Sequence, residues 1–201
     1  MVELRFAAFK YDRLGNLAAE LVRLTPDVIV TSGNPSIAAL KQATTTVPIV
    51  MTGAIDPVGA GLVTSLARPG GNITGLSWTT GPEFIGKQLE ILNEVVPKLS
   101  RVAILRQTGR AGAETAALES AARKLRLTIV FADVRTPNDI EDAFATMTRS
   151  RAGALLILGG GMTWASRQQI ADLAVQQRLS GIHFFREYAE AGLLVTYGPN
   201  F

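Results

Sequence analysis

Residues 48–78 read PIVMTGAIDPVGAGLVTSLARPGGNITGLSW, and the order of elements that this stretch predicts indicates the fold. An apolar run at 47–51 predicts a strand, and a small polar loop leads from it to Asp56. We expect a helix to begin at Pro57, because proline fits the first helical position and aspartate is a good N-cap. Proline and two glycines end this helix, and a second strand follows at 72–77. Ligands commonly bind where a strand of a parallel sheet ends at a helix N-terminus.

The rest of the chain alternates strand and helix patterns in the same way. The predicted strands are 2–6, 27–31, 101–106, 128–132, 154–158, 181–184 and 193–196. The predicted helices and helical turns are 11–24, 36–43, 83–96, 113–124, 137–148, 164–178 and 187–191. Near-continuous apolar runs such as DVIVT and ALLIL are typical of a parallel sheet that helices cover on both faces. The pattern predicts an α/β protein of two doubly wound parallel-sheet lobes, joined near residues 77–82.

The composition excludes several classes of protein. Of the 201 residues 47% are hydrophobic, but no run of 18 apolar residues predicts a membrane span. The absence of cysteine excludes disulfides, thiolate metal sites and thiol catalysis, and it leaves the compartment open. The net charge is +3, and the basic residues are scattered rather than grouped with aromatics. The sequence therefore predicts no nucleic-acid partner.

Two predicted strand-end loops of the first lobe combine small polar residues with a helix N-terminus. Such a site offers free backbone N–H groups and a partial positive charge, which suit a carboxylate. A second interpretation is that the serines at 32 and 36 only cap their own helix. The candidate ligand-binding residues of these loops are Thr31, Ser32, Gly33, Asn34, Ser36, Gly53 and Asp56.

Asp56 and Trp78 each have two interpretations. Asp56 is a helix cap, and as an acid at a strand end it is also suited to hold the ammonium group of an amino acid. Trp78 stands where the chain leaves the first lobe, and we expect this aromatic to face the ligand. A single aromatic elsewhere is more often part of the core than of a ligand pocket.

The second lobe has three matching strand-end loops, at 106–110, 159–163 and 184–188. A glycine-rich strand end lets a ligand approach the backbone, whereas no phosphate-loop or dinucleotide fingerprint is present. The candidate ligand-binding residues of these loops are Gln107, Thr108, Gly160, Gly161, Arg186 and Glu187. Further candidates for an apolar pocket wall are Met162, Trp164, Phe184, Phe185 and Tyr188.

Catalytic and metal sites have no support in the sequence. His183 is the only histidine, and its strand-like surroundings GIHFF predict a hydrogen-bonded side chain that is buried or at a sheet edge, rather than a catalyst. No Gly-x-Ser-x-Gly elbow is present for a serine nucleophile. With no second histidine, no cysteine and no carboxylate cluster, we expect no metal and no cofactor.

Four segments resemble the substrate-binding proteins of ABC transporters of the tryptophan/tyrosine type. They are YDRLGNLAAELVRLTPDVIVTSGNPSIAALKQATTTVPIV at 11–50, DPVGAGLVTSLARPGGNITGLS at 56–77, GKQLEILNEVVPKLSRVAIL at 86–105 and REYAEAGLLVTYGPNF at 186–201. The resemblance implies the type I periplasmic-binding-protein fold. It implies an N-terminal lobe at 1–77, a hinge crossing at 78–82, a C-terminal lobe at 83–196 and a second crossing at 197–201.

The resemblance also implies that the N-terminal lobe is incomplete. Its first strand–helix unit and the tail that follows the second crossing are expected to be missing, so that the chain is a fragment lacking both ends. A natural start at Met1, from an interrupted or misassigned reading frame, is the alternative. The N-terminal sequence MVELRFAAFKYDR does not match a signal peptide.

The function that the resemblance implies is solute binding for an ABC importer. The chain would bind a small molecule in the cleft between its lobes and deliver it to a membrane permease, and the expected ligand is an amino acid, in the narrower reading an aromatic one. The implied location is periplasmic or extracytoplasmic, and the protein would contact the membrane only through the permease. A fragment without a signal peptide would instead stay in the cytoplasm. Two alternatives use the same scaffold, an enzyme and an intracellular ligand sensor. The sequence shows neither the acid–base pair that the enzyme needs nor the helix-turn-helix of a repressor-like sensor.

Overall fold

The computed structural model describes residues 1–8, 10–78, 82–108 and 113–198. A 3₁₀ turn at Tyr11–Arg13 precedes the first helix. The helices are α1 (Leu14–Arg23), α2 (Asn34–Ala43), α3 (Pro82–Val95), α4 (Ala113–Leu125), α5 (Asp139–Arg149), α6 (Gly161–Ala165), α7 (Arg167–Gln176) and α8 (Glu187–Glu190). The strands are β1 (Ile29–Thr31), β2 (Ile49–Ala54), β3 (Ile73–Ser77), β4 (Arg101–Gln107), β5 (Thr128–Val134), β6 (Ala154–Ile157), β7 (Ser180–His183) and β8 (Val195–Thr196). Met1–Gly81 and Pro82–Phe201 form two separate units, called here the N-terminal unit and the C-terminal unit.

The C-terminal unit contains a sheet of five parallel strands in the order β5-β4-β6-β7-β8. Along β4, Val102 and Ile104 join a core with α3 and α4, whereas Ala103 and Leu105 join a core with α5, α6, α7 and α8. The alternation follows from the period of two in a strand, and the apolar residues on both sides need helices on both faces. This unit is therefore an α/β doubly wound sheet, as predicted.

The order of the strands in this sheet reverses between β4 and β6. β4 is the first strand of the unit, β5 is added on one side of it, and β6, β7 and β8 are added on the other. In such a sheet the loops after the two central strands leave toward opposite faces and open a crevice at the carboxyl ends of the strands. Leu105 lies beside Ile157 in the register, so Gln107 and Gly159, two residues further along, both reach this crevice.

The N-terminal unit contains three parallel strands in the order β1-β2-β3. Ile29, Ile49 and Ile73 lie in one row and are buried together with apolar residues of α1 and α2. On the opposite face Val30 is 63% exposed and Leu76 is 69% exposed. Helices were expected on both faces, and for the described part of this unit that expectation is wrong. α1 packs against α2 within the single core of this unit, so neither helix covers the second face.

The predicted strand at 2–6 is not present. Val2, Leu4 and Phe6 are exposed, and none of the described strands pairs with this segment. Arg5 instead forms an ion pair with Glu20 of α1, with Nε 3.3 Å from Oε2. Alternating apolar residues do not make a strand by themselves, because its backbone N–H and C=O groups need a neighbouring strand.

The helix predicted to begin at Pro57 is also wrong, because the chain between β2 and β3 forms turns. Gly61 has a φ of +67°, which glycine adopts readily and which interrupts a helix. The N–H of Leu62 donates to Pro57 O at 2.8 Å, five residues back rather than four. The turns still bury Leu62 and Val63 in the core of the unit. The two glycines after Pro57 outweigh the helix-start signal.

Three stretches that the predictions name lie outside the described residues. They are 79–81 of the hinge, 109–110 of the loop after β4 and 199–201 of the second crossing. The single helix predicted at 164–178 is present as α6 and α7, which meet at Ser166. Among the helices that the structure describes, none has the length and apolar character that crossing a membrane requires.

Candidate functional site

The ends of β1 and β2 in the N-terminal unit are joined by hydrogen bonds. The N–H of Gly33 donates to Gly53 O at 2.9 Å. The Nδ2 of Asn34 donates to Ile55 O at 2.6 Å, and the N–H of Ile55 donates to Asn34 Oδ1 at 2.8 Å. The two loops predicted as ligand-binding in this unit therefore form one cluster, and Asn34 is the side chain that joins them.

The hydroxyl residues of this cluster differ in exposure. α2 begins at Asn34 with Gly33 as its N-cap, so neither Ser32 nor Ser36 stands at the N-cap. Gly33 has a φ of +85°, a conformation that favours glycine. Ser32 is exposed, whereas Thr31 and Ser36 are half-buried. The alternative in which the two serines act as the N-cap of this helix is thus wrong, and their role toward a ligand stays a prediction.

Asp56 caps a turn and not a helix. Its Oδ1 accepts a hydrogen bond from the N–H of Gly59 at 3.0 Å, and its φ is +43°. A Cβ on residue 59 would lie 2.0 Å from Asp56 Oδ2, so a larger residue there would displace the carboxylate from this position. The half-buried carboxylate lies in the loop that directly follows β2. Its second interpretation, a partner for a ligand ammonium group, stays a prediction.

Trp78 packs directly on the backbone of β2. The backbone N–H of Trp78 donates to Ala54 O at 2.8 Å, so the residue lies at the carboxyl end of the sheet. A Cβ on Gly53 would lie 2.3 Å from both Cε2 and Cζ2 of the indole. Glycine at this position therefore lets the ring lie on the strand end. The indole is half-buried, so part of its surface is accessible to solvent.

A cavity of about 270 Å³ in the N-terminal unit lies away from this cluster, along β3. Its wall includes Met51, Leu66 and Leu76 and none of the predicted ligand-binding residues. Two of its hydroxyl groups bond to nearby backbone, with Ser65 Oγ donating to Arg68 O at 3.0 Å and Ser77 Oγ donating to Ala54 O at 3.2 Å. The groove along β3 is lined by apolar and hydroxyl residues, and two of these hydroxyl groups are already used in bonds to the backbone.

In the C-terminal unit the crevice between β4 and β6 contains a buried carboxamide. Gln107 is 2% exposed, and its Oε1 has no hydrogen-bond partner within the described part of the chain. A Cβ on Gly160 would lie 2.8 Å from this oxygen and 3.6 Å from Thr163 Oγ1. Two predicted residues, Gln107 and Gly160, are thus neighbours in the crevice. A buried acceptor without a partner costs about 1–3 kcal/mol, so a group that donates to it is favoured there.

Three further polar residues lie near this crevice; of them, the sequence analysis named only Tyr188, as a candidate for an apolar pocket wall. Thr163 is fully buried, and its Oγ1 donates to Gly160 O at 3.0 Å. Tyr188 is fully buried, and its hydroxyl has no hydrogen-bond partner in the described residues. Burial raises the pKa of the Tyr188 phenol far above its ordinary value, so the hydroxyl stays protonated. His183 is buried, which is one of the two alternatives that the sequence predicted. For Thr163 and Tyr188, only their position after a predicted strand indicates a role, because α6 and α8 are too short for a clear periodicity.

The remaining predicted residues of this unit stand apart from Gln107. Thr108 is half-buried, and its N–H donates to Val134 O at 2.9 Å. Gly161 is exposed at the first position of α6. Arg186 is exposed and pairs with Glu190, with Nε 3.6 Å from Oε1, whereas Glu187 is half-buried at the start of α8. No described contact joins these four residues to the carboxamide, and their role in ligand binding stays a prediction.

Two charged side chains of the C-terminal unit, Arg106 and Asp139, form hydrogen bonds within the unit. Arg106 pairs with Asp133 on the edge strand, with Nη2 3.2 Å from Oδ2, and this hydrogen bond raises the pKa of Arg106. The backbone N–H groups of Thr136 and Arg135 lower the pKa of Asp139 at the start of α5. Across residues 1–8, 10–78, 82–108 and 113–198, no three histidine, aspartate or glutamate side chains lie close enough to hold a metal ion.

Comparison with known proteins identifies the family. Residues 6–200 match the family of ABC transporter substrate binding proteins. The chain is 31% identical over 188 residues to the tyrosine-binding protein of Clostridioides difficile strain R20291. The aligned region covers 92% of this chain and 53% of that protein. A conserved domain protein from Vibrio cholerae has a TM-score of 0.80 at 26% identity, over 92% of this chain and 62% of that one.

A second solved structure shares the fold at lower identity. It is an ABC domain from Streptococcus pneumonia in complex with L-Trp, with a TM-score of 0.80 and 23% identity, over 92% of this chain and 64% of that one. The chain thus spans 53% to 64% of the length of these three relatives. The predicted α/β fold class and the predicted resemblance are both confirmed. This chain belongs to the family of ABC transporter substrate binding proteins.

Proposed function

We propose that this chain is the ligand-binding part of a solute-binding protein for an ABC importer, and that its ligand is an amino acid with an aromatic side chain. The loaded protein would deliver this ligand to a membrane permease and would work outside the cytoplasm. The identity to a tyrosine-binding protein over 92% of the chain supports this ligand class. The shared fold with a domain solved in complex with L-Trp agrees with it.

The observation that carries the proposal is the unpartnered Oε1 of Gln107 at the strand-order reversal. Open α/β sheets bind ligands at this place, and the glycine at 160 lets this oxygen lie against the backbone that follows β6. A hydrogen bond from a ligand would remove the cost of the buried acceptor. The ammonium group of an amino acid and the hydroxyl of a phenol are both suitable donors.

The strand-end cluster of the N-terminal unit, taken by itself, has chemistry that suits the same class of ligand. The half-buried indole of Trp78 presents an aromatic surface, and aromatic pairs add about 0.5–1.5 kcal/mol beyond area burial. The hydroxyl groups of Thr31, Ser32 and Ser36 suit a ligand carboxylate, and the carboxylate of Asp56 suits an ammonium group. We further propose that binding involves no bond making or breaking, so that a bound amino acid is recovered unchanged.

The test is calorimetric titration of the full chain with L-tyrosine, L-tryptophan and L-phenylalanine, with L-leucine and L-glutamate as controls. We expect an aromatic amino acid to bind and to raise the melting temperature, since a ligand at a hundred times its Kd stabilises by about 2.7 kcal/mol. Mass spectrometry of the recovered ligand should show no product. Binding of none of the three aromatic amino acids, or conversion of any of them, would contradict the proposal.

The variant Gln107→Leu separates binding from folding. Replacing the buried, unpartnered acceptor with an apolar side chain should leave the melting temperature of the free protein unchanged or raise it. Affinity for the aromatic ligand should fall at least tenfold, because a hydrogen bond to the ligand is lost. The control is Gln176→Leu on the exposed side of α7, which should change neither quantity. Equal affinity of the two variants would remove Gln107 from the site.

A further inference from the structure

The turn that follows β7 is built around the side chain of His183. This residue is 1% exposed, and aromatic rings enclose its imidazole. The ring centroids of Tyr188, Phe184 and Phe185 lie 3.9, 4.3 and 5.5 Å from the imidazole centroid. His183 O also accepts a hydrogen bond from the N–H of Tyr197 at 2.9 Å. The residue therefore connects β7, the following turn and the end of β8.

One hydrogen bond makes the conformation of this turn depend on the protonation of the ring. The N–H of Phe185 donates to Nδ1 of His183 at 3.0 Å. Nδ1 accepts this bond only while it carries no proton, because both ring nitrogens of an imidazolium are donors. Protonation would turn two N–H groups toward each other inside an aromatic enclosure, and the turn would have to move.

The turn in question packs against the glycine-rich end of β6. A Cβ on Gly159 would lie 2.6 Å from Cε1 of Phe184, so the phenyl ring rests on the backbone of this strand end. Phe185 contacts Trp164 of α6 edge to face, with centroids 5.0 Å apart. Gly159 adjoins Gly160, the neighbour of Gln107 in the crevice. The position of this turn thus determines the wall of the crevice.

The other described titratable groups around His183 do not give the turn a second dependence on pH. Tyr188 lies against the ring, and burial raises its pKa, so it stays neutral. On α8 and the turn before it, Arg186 and Glu190 pair with each other and Glu187 is half-buried. From α7, Arg167 lies over the Trp164 ring at 5.0 Å. From β8, Tyr197 contributes its backbone N–H.

We propose that His183 is a positioning residue that holds the 184–187 turn against the end of β6 only while Nδ1 is unprotonated. Acidification that protonates Nδ1 releases the turn and weakens ligand binding at the C-terminal unit. The part of this inference that concerns the ligand rests on the proposed function. The movement of the turn does not.

The movement is tested without a ligand, in the full chain carrying Trp78→Phe, where Trp164 is the one remaining tryptophan. Trp164 contacts Phe185, so its fluorescence reports the position of the turn. We expect a reversible change of emission as the pH falls from 8 to 5 in this parent. His183→Asn places a non-titrating acceptor near the position of Nδ1 and should abolish the change. His183→Gln extends the acceptor to the position of Nε2, and its emission should match the acid form at every pH.

A transition that is the same in the parent and in His183→Asn would overturn the proposal, and so would a parent without a transition. If the asparagine variant does not fold, proton NMR of the parent decides, because a chain with one histidine has one pair of imidazole resonances. Imidazole titration and Trp164 emission should then share one midpoint. Titration of the imidazole with no change of emission would overturn the proposal.

The ligand part is tested by calorimetry with L-tyrosine at pH 7.5 and pH 5. Exclusion of one proton weakens binding by at most tenfold per pH unit, so we expect a loss of about tenfold or more in the original chain, which keeps Trp78, and the asparagine variant is measured in the same chain. His183→Asn should lose less than twofold. A loss of equal size in both proteins would overturn the link between the turn and binding. If L-tyrosine binds neither protein while the fluorescence result holds, the proposed tyrosine ligand fails and the positioning role of His183 stands.

Discussion

Replacing Gly53 with alanine should displace the indole of Trp78 from the end of β2. The new Cβ would lie 2.3 Å from Cε2 and Cζ2 of the ring, whereas carbon atoms in contact prefer about 3.5–4.0 Å. The ring must therefore move by more than 1 Å, about the difference between these distances, because the opposing Cβ belongs to the backbone of a central strand. Gly53 has no positive φ, so alanine brings no backbone strain of its own. Overpacking of this kind typically costs about 1–3 kcal/mol.

The assay is urea unfolding of Gly53→Ala in a Trp164→Phe background, followed by the emission of Trp78. We expect a loss of about 1–3 kcal/mol in the free energy of unfolding and an emission shifted to longer wavelength in the folded state. The matched control is Gly71→Ala, since a Cβ on residue 71 meets no atom within 4 Å. Its unfolding and emission should equal those of the parent.

A double-mutant cycle gives the sharper test. The cycle is measured by far-UV circular dichroism, since its Trp78→Ala arms have no indole at 78. Once Trp78→Ala has removed the ring, adding Gly53→Ala should cost less than about 0.5 kcal/mol, because the two residues no longer clash. The same cost with and without the indole would refute the reasoning, and so would a Gly53→Ala protein that behaves like Gly71→Ala. Either result would mean that the ring does not rest on the strand.

Two further predictions concern hydrogen bonds of single side chains. Asn34→Ala removes the side-chain donor and acceptor that bond to the backbone of Ile55. We therefore expect the free energy of urea unfolding to fall by about 1–3 kcal/mol. An unchanged value would show that water replaces both bonds. Backbone N–H groups at the start of α5 lower the pKa of Asp139 in the folded protein. The ionised carboxylate therefore stabilises the fold above the unfolded-state pKa, and this stabilisation is lost as the pH falls through the folded-state pKa. Asp139→Asn should therefore melt below the parent at pH 7, and the difference should shrink as the pH falls through the lowered folded-state pKa of Asp139. A difference that is constant with pH would remove the ionised carboxylate from the explanation.

The local elements of the C-terminal unit were predictable because pattern and packing agree there. Buried strands such as β6 are apolar at every position, and their amphipathic neighbours have one side to bury. The same reasoning failed at 57–67, where the start signal of a helix is followed by glycines whose effect depends on the surrounding core. It failed at 2–6 because a strand is defined by its neighbour. The local sequence determines neither which strand will pair with a segment nor which φ a glycine will adopt.

The candidate site shows the same division. The strand-end loops could be named in advance, since the carboxyl ends of parallel strands share one edge of a sheet. Their internal arrangement could not, because it depends on contacts between residues distant in sequence. Asn34 bonds to Ile55, and the indole of Trp78 lies on Gly53.

The amino-acid sequence alone determined the α/β class, the family and the strand ends where polar and glycine residues collect, because periodicity and motifs are local properties of a chain. The tertiary structure alone decided that Gln107 has a buried acceptor beside Gly160 and that the imidazole of His183 holds the N–H of Phe185. Burial and hydrogen bonding arise only when strands from different parts of the chain are aligned, and a linear pattern carries no information on that alignment.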